Sequence, residues 1–234
     1  MSLQLVIGRA GSGKTTYCYE DLEKTLAGET DHTLMMLVPE QYNLQTQQAL
    51  AYRIYPGLLK VEVQSFKNLA LRVFGELGGP KEPIVDDLGR LMILRKIIED
   101  AHKDLVLFQK SGRQIGFMES LNRLITEFEQ YRITPEILDD LYAKSEGAPA
   151  LQRKLHDIRI IYAGFMDYIG SKFLTSEQTI DRLIEKVKDS TYLKGAHIWM
   201  NGFYGFSPQQ YELVVELLKQ AAQVTISVDR KSVV

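Results

Sequence analysis

Eight residues near the start of the chain have the composition and spacing of a phosphate-binding loop. Gly8 is followed by four residues and then by Gly13, Lys14 and Thr15, the spacing of loops whose backbone N–H groups surround phosphate oxygens. In such loops the lysine reaches the β- and γ-phosphates, and the hydroxyl after it ligates Mg²⁺. We therefore predict a site for ATP, with Mg²⁺ held on Thr15. The predicted nucleotide-binding residues are Gly8, Arg9, Ala10, Gly11, Ser12, Gly13, Lys14 and Thr15.

The segments on either side of this loop are those that a phosphate-binding loop requires. The apolar run Leu3–Ile7 predicts a buried strand before the loop, and a helix is predicted from about Lys14 to Leu26. A helix that starts here adds its positive end to the backbone amides of the loop. The alternative is an accidental glycine turn before a helix. The complete spacing between a strand and a helix argues against that alternative.

Hydrolysis of a bound triphosphate needs an acidic side chain that this sequence does not supply at the expected place. In nucleotide hydrolases with such a loop, a carboxylate at the end of another core strand holds Mg²⁺. The predicted strand Ile198–Met200 is followed by Asn201 and Gly202. Asn201 carries no charge, and Asp229, at the end of the last predicted strand, is a weak substitute. We therefore expect nucleotide binding with weak or absent hydrolysis, and we predict no catalytic residue.

The order of the predicted elements indicates an α/β fold with a helical insertion. Further strands are predicted at residues 34–38, 59–63, 197–200 and 223–228. Residues 86–188 show only helical periodicity. We expect a parallel sheet in a discontinuous core of residues 1–80 and 191–234, with an all-helical insertion at 81–190. Because the last predicted strand lies close to the end of the sequence, we expect the polypeptide to be part of something longer.

Composition and charge exclude several classes of function. The net charge of −2 gives no general basic field for nucleic acid, although it remains compatible with a local basic groove. The single cysteine, Cys18, excludes a disulfide framework or a cysteine-rich metal cluster within the chain, and the four histidines lack ligand spacing. No apolar run approaches the roughly 20 residues that span a membrane, and no signal peptide is recognisable. We expect a reducing, cytoplasmic setting and no membrane partner.

Several segments, in order along the chain, resemble motifs of the UvrD-like superfamily 1 helicases. The matching segments are Gly8–Thr15, Leu37–Gln41, Val63–Val73 and Asn201–Tyr211 in the core, and Gly89–Arg95, Gly116–Phe117 and Lys154–Ile158 in the insertion. The ordered set is similar to the AddB family, called RexB in some bacteria, which comprises the B subunits of the bacterial AddAB helicase–nucleases. The resemblance extends over nearly all of the chain. It departs from the helicase pattern at Asn201 and Gly202, which stand where helicases carry an acidic pair.

This resemblance implies a RecA-like P-loop NTPase core, equivalent to helicase domain 1A, with an insertion equivalent to domain 1B. It implies a part in ATP-dependent resection of double-strand breaks for recombinational repair, in a heterodimer with an AddA-type subunit that supplies the motor. The B subunit would scan single-stranded DNA for a Chi sequence. The nuclease domain and the iron–sulfur cysteines of the family lie far toward the C-terminus, so we expect neither within these residues.

The resemblance also implies that the segments after the second and third strands contact single-stranded DNA. The predicted contacts are Gln41, Asn43, Phe66, Arg72 and Phe203. An aromatic ring such as Phe66 or Phe203 would stack on a base, and Arg72 would meet a phosphate. Gln41 and Asn43 carry donors and acceptors suited to base edges. Two alternatives stay open, since Phe66 can be a core residue at a helix start and Gln41 can cap the next helix.

Three functions remain compatible with the residues. The first is a nucleotide-binding, DNA-scanning subunit of a helicase–nuclease. The second is a free-standing P-loop NTPase or small-molecule kinase with a helical lid. The third is a scaffold derived from a helicase, in which the loop is a relic or only holds nucleotide. The helicase-like segments and Asn201 favour the first, whereas a catalytic base within the chain would favour the second.

Overall fold

The chain divides into two compact units. The computed structural model describes residues 2–28, 32–54, 60–110, 114–170 and 172–230. The first unit, Met1–Pro80 with Ile180–Val234, contains a β-sheet and is called the sheet unit here. The second, Lys81–Thr179, is called the helical unit. Within the described ranges, none of the helices combines the length and apolar character needed to cross a membrane.

Among the described residues, five parallel strands form the sheet of the sheet unit. They are β1 (Ser2–Gly8), β2 (Leu34–Leu37), β3 (Val61–Gln64), β4 (His197–Met200) and β5 (Gln223–Asp229). Their order in space is β1-β5-β4-β2-β3, and all neighbours are parallel. The predicted α/β class and parallel sheet are therefore confirmed, although Leu59 of the predicted third strand lies outside the described residues. Because parallel strands end at one edge, the segments that follow them are neighbours there.

Within the described residues, a helix follows each of β1, β2, β3 and β4, and five further helices lie between the helix that follows β3 and strand β4. They are α1 (Lys14–Ala27), α2 (Asn43–Arg53), α3 (Phe66–Leu77), α4 (Asp87–Asp100), α5 (Ile115–Gln130), α6 (Pro135–Lys144), α7 (Pro149–Ile169), α8 (Ser176–Val187) and α9 (Pro208–Gln220). A short 3-10 turn, Glu40–Tyr42, leads into α2.

The central strands of the sheet are buried between two layers of helices. On one face, α1 and α2 contribute Leu22 and Leu50 to a core that includes Trp199 of β4. On the other face, α3 and α9 contribute Leu69 and Leu213 to a second core, which includes the neighbours of Trp199 in β4. This alternation follows from the two-residue period of a strand. The indole Nε1 of Trp199 donates to Asp21 of α1 at 2.8 Å.

Short hydrogen-bonded motifs fix where three of the helices begin. Ser65 Oγ accepts from the backbone N–H of the third residue of α3 at 3.2 Å. Thr175 and Gln178 bond reciprocally at 3.1 Å ahead of α8, and Ser207 and Gln210 form the same box ahead of α9. In all three, a serine or threonine stands directly before the first helical residue, as helix starts prefer. Such caps satisfy N–H groups that have no partner within the helix.

Helix α8 explains a difference from the predicted division of the chain. The sequence placed the end of the insertion after residue 190, whereas the second boundary falls between Thr179 and Ile180. Leu183 and Val187 of α8 are fully buried and belong to the same core as Ile198 of β4. Most of α8 therefore packs in the sheet unit, because its apolar side chains face the sheet.

The helical unit has a core of its own, crossed by a buried cation. Leu94 and Phe165 are fully buried in it. Arg90 is only 2 % exposed and donates to Glu129 at 3.0 Å and to Glu177 at 3.4 Å. Its guanidinium also lies 5.0 Å from the centre of the Phe165 ring. Burial raises the pKa of Glu129, and the positive charge of Arg90 opposes that rise.

Candidate nucleotide site and the neighbouring sheet edge

The loop between β1 and α1 has the backbone that its glycines predict. Gly11 and Gly13 have φ of 76° and 86°, in the left-handed region that favours glycine. At Gly8 the constraint is steric, since a Cβ there would lie 2.2 Å from Ser12 Oγ. The predicted strand before the loop and the predicted helix after it are both present, but the strand is not buried as predicted, because the side chains of Leu3, Leu5 and Ile7 are more than half exposed. The loop thus sits at the carboxyl edge of the sheet, and α1 begins directly at Lys14.

Lys14 is positioned by the carbonyl groups of the loop itself. Its Nζ donates to Gly8 O at 3.1 Å and to Arg9 O at 2.8 Å. A lysine ammonium has three donors, so this arrangement leaves it able to donate to a phosphate as well. The start of α1 adds backbone N–H groups that favour an anion at the same place. Both features suit the phosphates of a nucleotide.

Asn201 connects the end of β4 to the loop through a neutral hydrogen-bond network. Its side-chain oxygen accepts from Thr15 Oγ1 at 3.2 Å and from Ser227 Oγ at 2.8 Å. Asn201 is only 7 % exposed. The position that the sequence assigned to a metal-binding acid is therefore occupied by an uncharged group that already bonds the predicted Mg²⁺ ligand, Thr15.

A cavity of about 530 Å³ opens beside this network. It is lined by Ala10, Lys14, Thr15, Tyr19, Val38, Tyr42, Gln45, Thr46, Ala49, Asn201, Gly202, Phe203, Tyr204, Ser227 and Asp229. Its volume lies within the usual range for small-molecule sites. Mg²⁺ in proteins is commonly bound by one or two carboxylates together with substrate phosphates. In this lining, Thr15 and Asp229 have the oxygen atoms that fit such an ion, and Asp229 is in register with Gly8.

A second cavity, of about 390 Å³, lies at the carboxyl ends of β2, β3 and β4. Three of the predicted DNA contacts line it, namely Gln41, Phe66 and Phe203. Gln41 is exposed in the 3-10 turn, and Phe203 is half-buried. The interpretation of Gln41 as a helix cap is wrong, because Tyr42 stands at the N-cap of α2 and no side chain caps that helix.

Phe66 lies mostly inside the protein. It is 7 % exposed, and its ring centre lies 5.2 Å from that of Phe203, which in turn lies 5.1 Å from that of Phe206. The structure therefore supports the open alternative that Phe66 is a core residue. Phe203 has more of its surface accessible than Phe66 does.

The other two predicted DNA contacts lie outside the lining of the second cavity. Asn43 begins α2 and accepts from Gln47 Nε2 at 2.8 Å. Arg72 is exposed on α3, with its guanidinium 4.8 Å from the centre of the Tyr192 ring. The five residues predicted from the sequence thus do not form one cluster, and any DNA role of Asn43 and Arg72 stays a prediction.

Some residues at this edge were not found from the sequence. Tyr42 and Tyr204 line the first cavity, and a hydrogen bond with Tyr42 raises the pKa of Tyr204. Ser227 was read only as part of a strand, although it is the second donor to Asn201. The only feature of the sequence that could have indicated them is proximity to predicted site positions. Ser227 lies two residues before Asp229, and Tyr204 lies three residues after Asn201.

Comparison with known proteins identifies the family of this chain. The family model described as ADDB, N-terminal, matches residues 5–232. A relative from Clostridium tetani (strain Massachusetts / E88), named as the B subunit of an ATP-dependent helicase/deoxyribonuclease, is 37 % identical over 230 residues, which is 97 % of this chain and 20 % of that protein. The protein of the same name from Bacillus mycoides (strain KBAB4) is 40 % identical over 242 residues, 99 % of this chain and 21 % of that protein. The chain thus spans about one fifth of the length of these relatives, and it belongs to the AddB family, whose N-terminal region it matches.

Proposed function

We propose that this chain is the nucleotide-binding, DNA-scanning N-terminal region of the B component of a helicase–nuclease. The relatives are named as subunits of an ATP-dependent helicase/deoxyribonuclease. The observation that carries the proposal is the loop of Gly8–Thr15, which opens into a cavity beside Asn201. In this proposal the sheet unit is a RecA-like P-loop core of helicase domain 1A type, and the helical unit is its 1B-type insertion. The complex, with an AddA-type partner, resects double-strand breaks for recombinational repair.

The bound nucleotide is ATP, held mainly by the loop amides and Lys14. Thr15 and Asp229 would hold Mg²⁺, which supplies charge neutralisation for the phosphates when bound. Hydrolysis is weak or absent because Asn201 brings no negative charge to the end of β4. The chain's own residues therefore bind and orient the nucleotide, and the motor activity comes from the partner.

Single-stranded DNA passes along the carboxyl edge of the sheet, next to the second cavity. Phe203 offers a ring on which a base stacks, supported from behind by Phe66 and Phe206. Gln41 is exposed on the same cavity and can donate to or accept from a base edge. Lys67, which also lines the cavity, brings a positive charge for the phosphates.

The nucleotide part is tested by titrating ATP into this chain and into Lys14→Ala. We expect affinity to fall by about 1.5–3 kcal/mol, roughly 10- to 150-fold, because charge-assisted hydrogen bonds are lost. Lys24→Ala is the matched control, since Lys24 is exposed in the last turn of the same helix. Little or no ATP turnover is expected. Brisk turnover that disappears in Lys14→Ala would contradict the proposal and favour a free-standing NTPase.

The DNA part is tested in the assembled helicase–nuclease with single-stranded and duplex oligonucleotides. Phe203→Ala should weaken binding to the single strand by about 1–3 kcal/mol, the value of one stacked base. Tyr211→Ala is the control, because Tyr211 is an aromatic residue 63 % exposed on α9 and outside the lining of the second cavity. Equal affinities for the unchanged complex and the Phe203→Ala complex would remove the proposed DNA track.

A further inference from the structure

Strand β1 differs from the other strands because its apolar side chains are exposed. Leu3, Leu5 and Ile7 are 51 %, 52 % and 58 % exposed. They alternate along β1 and therefore lie on one face of the sheet. β1 is also an end strand, since the described part of the sheet gives it a single neighbour, β5. This is an apolar edge of the kind that proteins usually shield.

The backbone of the same three residues faces the free side of β1. Ser2 N–H donates to Ala222 O at 3.0 Å, so Ser2 bonds toward β5. In a parallel ladder, residues bonded to one neighbour alternate with residues whose groups point the other way. The N–H and C=O groups of Leu3, Leu5 and Ile7 therefore point away from β5, ready to pair with another strand.

The exposed side chains continue a core that is already built. Leu3 and Leu5 are in register with Val224 and Ile226 of β5, and partners in a parallel pair face the same side. Val224 and Ile226 are buried in the core that α3 and α9 cover. The apolar surface of that core thus extends past α9 onto β1, where no described helix covers it.

The direction of the crossovers indicates on which face of the sheet a further helix would lie. The connection from β4 to β5 passes through α9 and leads along the sheet toward β1. Helix α9 packs on the face of the sheet whose core contains Leu213. The connections through α1 and α2 move the opposite way and lie on the opposite face. This is the behaviour of right-handed crossovers, which make up about 98 % of such connections. A further crossover from β5 to a strand beyond β1 would lead along the sheet in the same direction as the connection through α9. Its helix would therefore lie on the same face as α9, over Leu3, Leu5 and Ile7.

We propose that the free edge of β1 pairs with a sixth parallel strand, and that the helix before that strand covers Leu3, Leu5 and Ile7. Both elements come from the residues that follow position 234 in the full-length protein. The relatives have the length for this, because the match covers 20 % or 21 % of them. A segment that continues from β5 would form a right-handed crossover, pair with the free backbone groups of β1 and cover its apolar side chains. This inference is independent of the proposed nucleotide and DNA sites.

The first test measures thiol labelling in the full-length protein, purified without its partner subunit. Leu3→Cys and Leu5→Cys are compared with Leu44→Cys, whose native side chain is 67 % exposed on α2. The labelled cysteine is identified by mass spectrometry of its peptide. Its labelling rate is then divided by the rate for the same variant in urea. We expect the Leu3→Cys and Leu5→Cys thiols to be labelled at least about tenfold more slowly than in urea, because they lie beneath the helix.

Three results would overturn the proposal. The first is labelling of the Leu3→Cys and Leu5→Cys thiols at their urea rates in the full-length protein. The second is protection that appears only when the partner subunit is added, which would assign the surface to that subunit. The third is protection that depends on protein concentration, which would assign it to a second copy.

Two further measurements identify the strand and the helix. In the unsubstituted full-length protein, hydrogen exchange at the amides of Leu3, Leu5 and Ile7 should be as slow as in β5, because a strand pairs with them. A photo-crosslinking residue at position 5 should capture a peptide that follows residue 234 in the same chain. Fast exchange at these amides, or capture of a peptide from another chain, would contradict the assignment.

Discussion

The sheet unit and the helical unit differ in the charge of their buried polar networks. In the helical unit, Arg90 binds two carboxylates, those of Glu129 and Glu177, within the core. In the sheet unit, the network of Asn201 with Thr15 and Ser227 is neutral, although it adjoins the proposed phosphate site. Charged groups thus form the network that joins helices in the helical unit, whereas the network beside the proposed phosphate site consists of uncharged groups.

This difference has energetic consequences for substitutions. A buried ion pair is costly to break, because removal of one partner leaves the other charge without compensation in a medium of low polarity. A neutral network lacks that cost, so its members are easier to exchange. A single substitution in the network of Asn201 is therefore expected to cost less stability than one in the network of Arg90.

The largest expected effect is on stability, in Arg90→Leu. We expect the free energy of unfolding to fall by about 3–5 kcal/mol, since Glu129 and Glu177 would lose their buried partner. Urea unfolding followed by circular dichroism measures it. Arg95→Leu is the control, because the Arg95–Glu99 pair is 64 % and 62 % exposed and should contribute about 1 kcal/mol or less. Equal losses in the two variants would remove the contrast between the units.

A smaller effect, on ligand binding, is expected from Asn201→Asp. The carboxylate would repel the phosphates of metal-free ATP and attract Mg²⁺. The ratio of the ATP dissociation constant in a chelator to that in Mg²⁺ should rise about tenfold, or about 1.4 kcal/mol. Calorimetric titration measures both constants. Ser227→Ala removes a bond to Asn201 without adding charge and should leave the ratio unchanged, and a tenfold rise there as well would refute the charge argument.

The smallest expected effect concerns Glu76, an exposed carboxylate in the sheet unit. Hydrogen bonds from Ser190 and Thr191 lower the pKa of Glu76 to about 2. A lowered pKa stabilises the folded chain above the unfolded value of about 4.3, and the contribution disappears as the pH falls toward 2. The difference in unfolding free energy between the native chain and Glu76→Gln should thus be constant above about pH 5 and shrink below it. A difference that stays constant down to pH 2 would show that the bonds do not depend on charge.

Local features of this molecule were accessible from the sequence. The spacing of Gly8–Thr15 and the caps at Ser65, Thr175 and Ser207 depend on neighbouring residues, and their local geometry is present. The strands were found because strands of a parallel sheet have short apolar runs, but the expected burial of β1 was wrong, since Leu3, Leu5 and Ile7 are exposed. The roles of the loop and of the DNA contacts stay predictions, since local pattern describes a shape rather than a bound ligand.

Features that join distant segments were not accessible. The Thr15–Asn201 bond joins residues 186 positions apart, and the Arg90–Glu177 bond joins residues 87 positions apart. Phe66 looked equally suited to a base or to a core, and its burial depends on Phe203 from another segment. The predicted end of the insertion differs from the boundary of the two compact units, because α8 is amphipathic and only tertiary packing assigns its apolar face to the sheet.

The position of Trp199 gives the site an intrinsic optical probe. It is the only tryptophan in the chain, it is 1 % exposed, and it lies two residues before Asn201 on β4. Its indole is fixed by Asp21 on α1, the helix that starts at Lys14. Any ligand that shifts α1 against β4 will therefore change the fluorescence of one identified fluorophore, so that occupancy can be followed without a label.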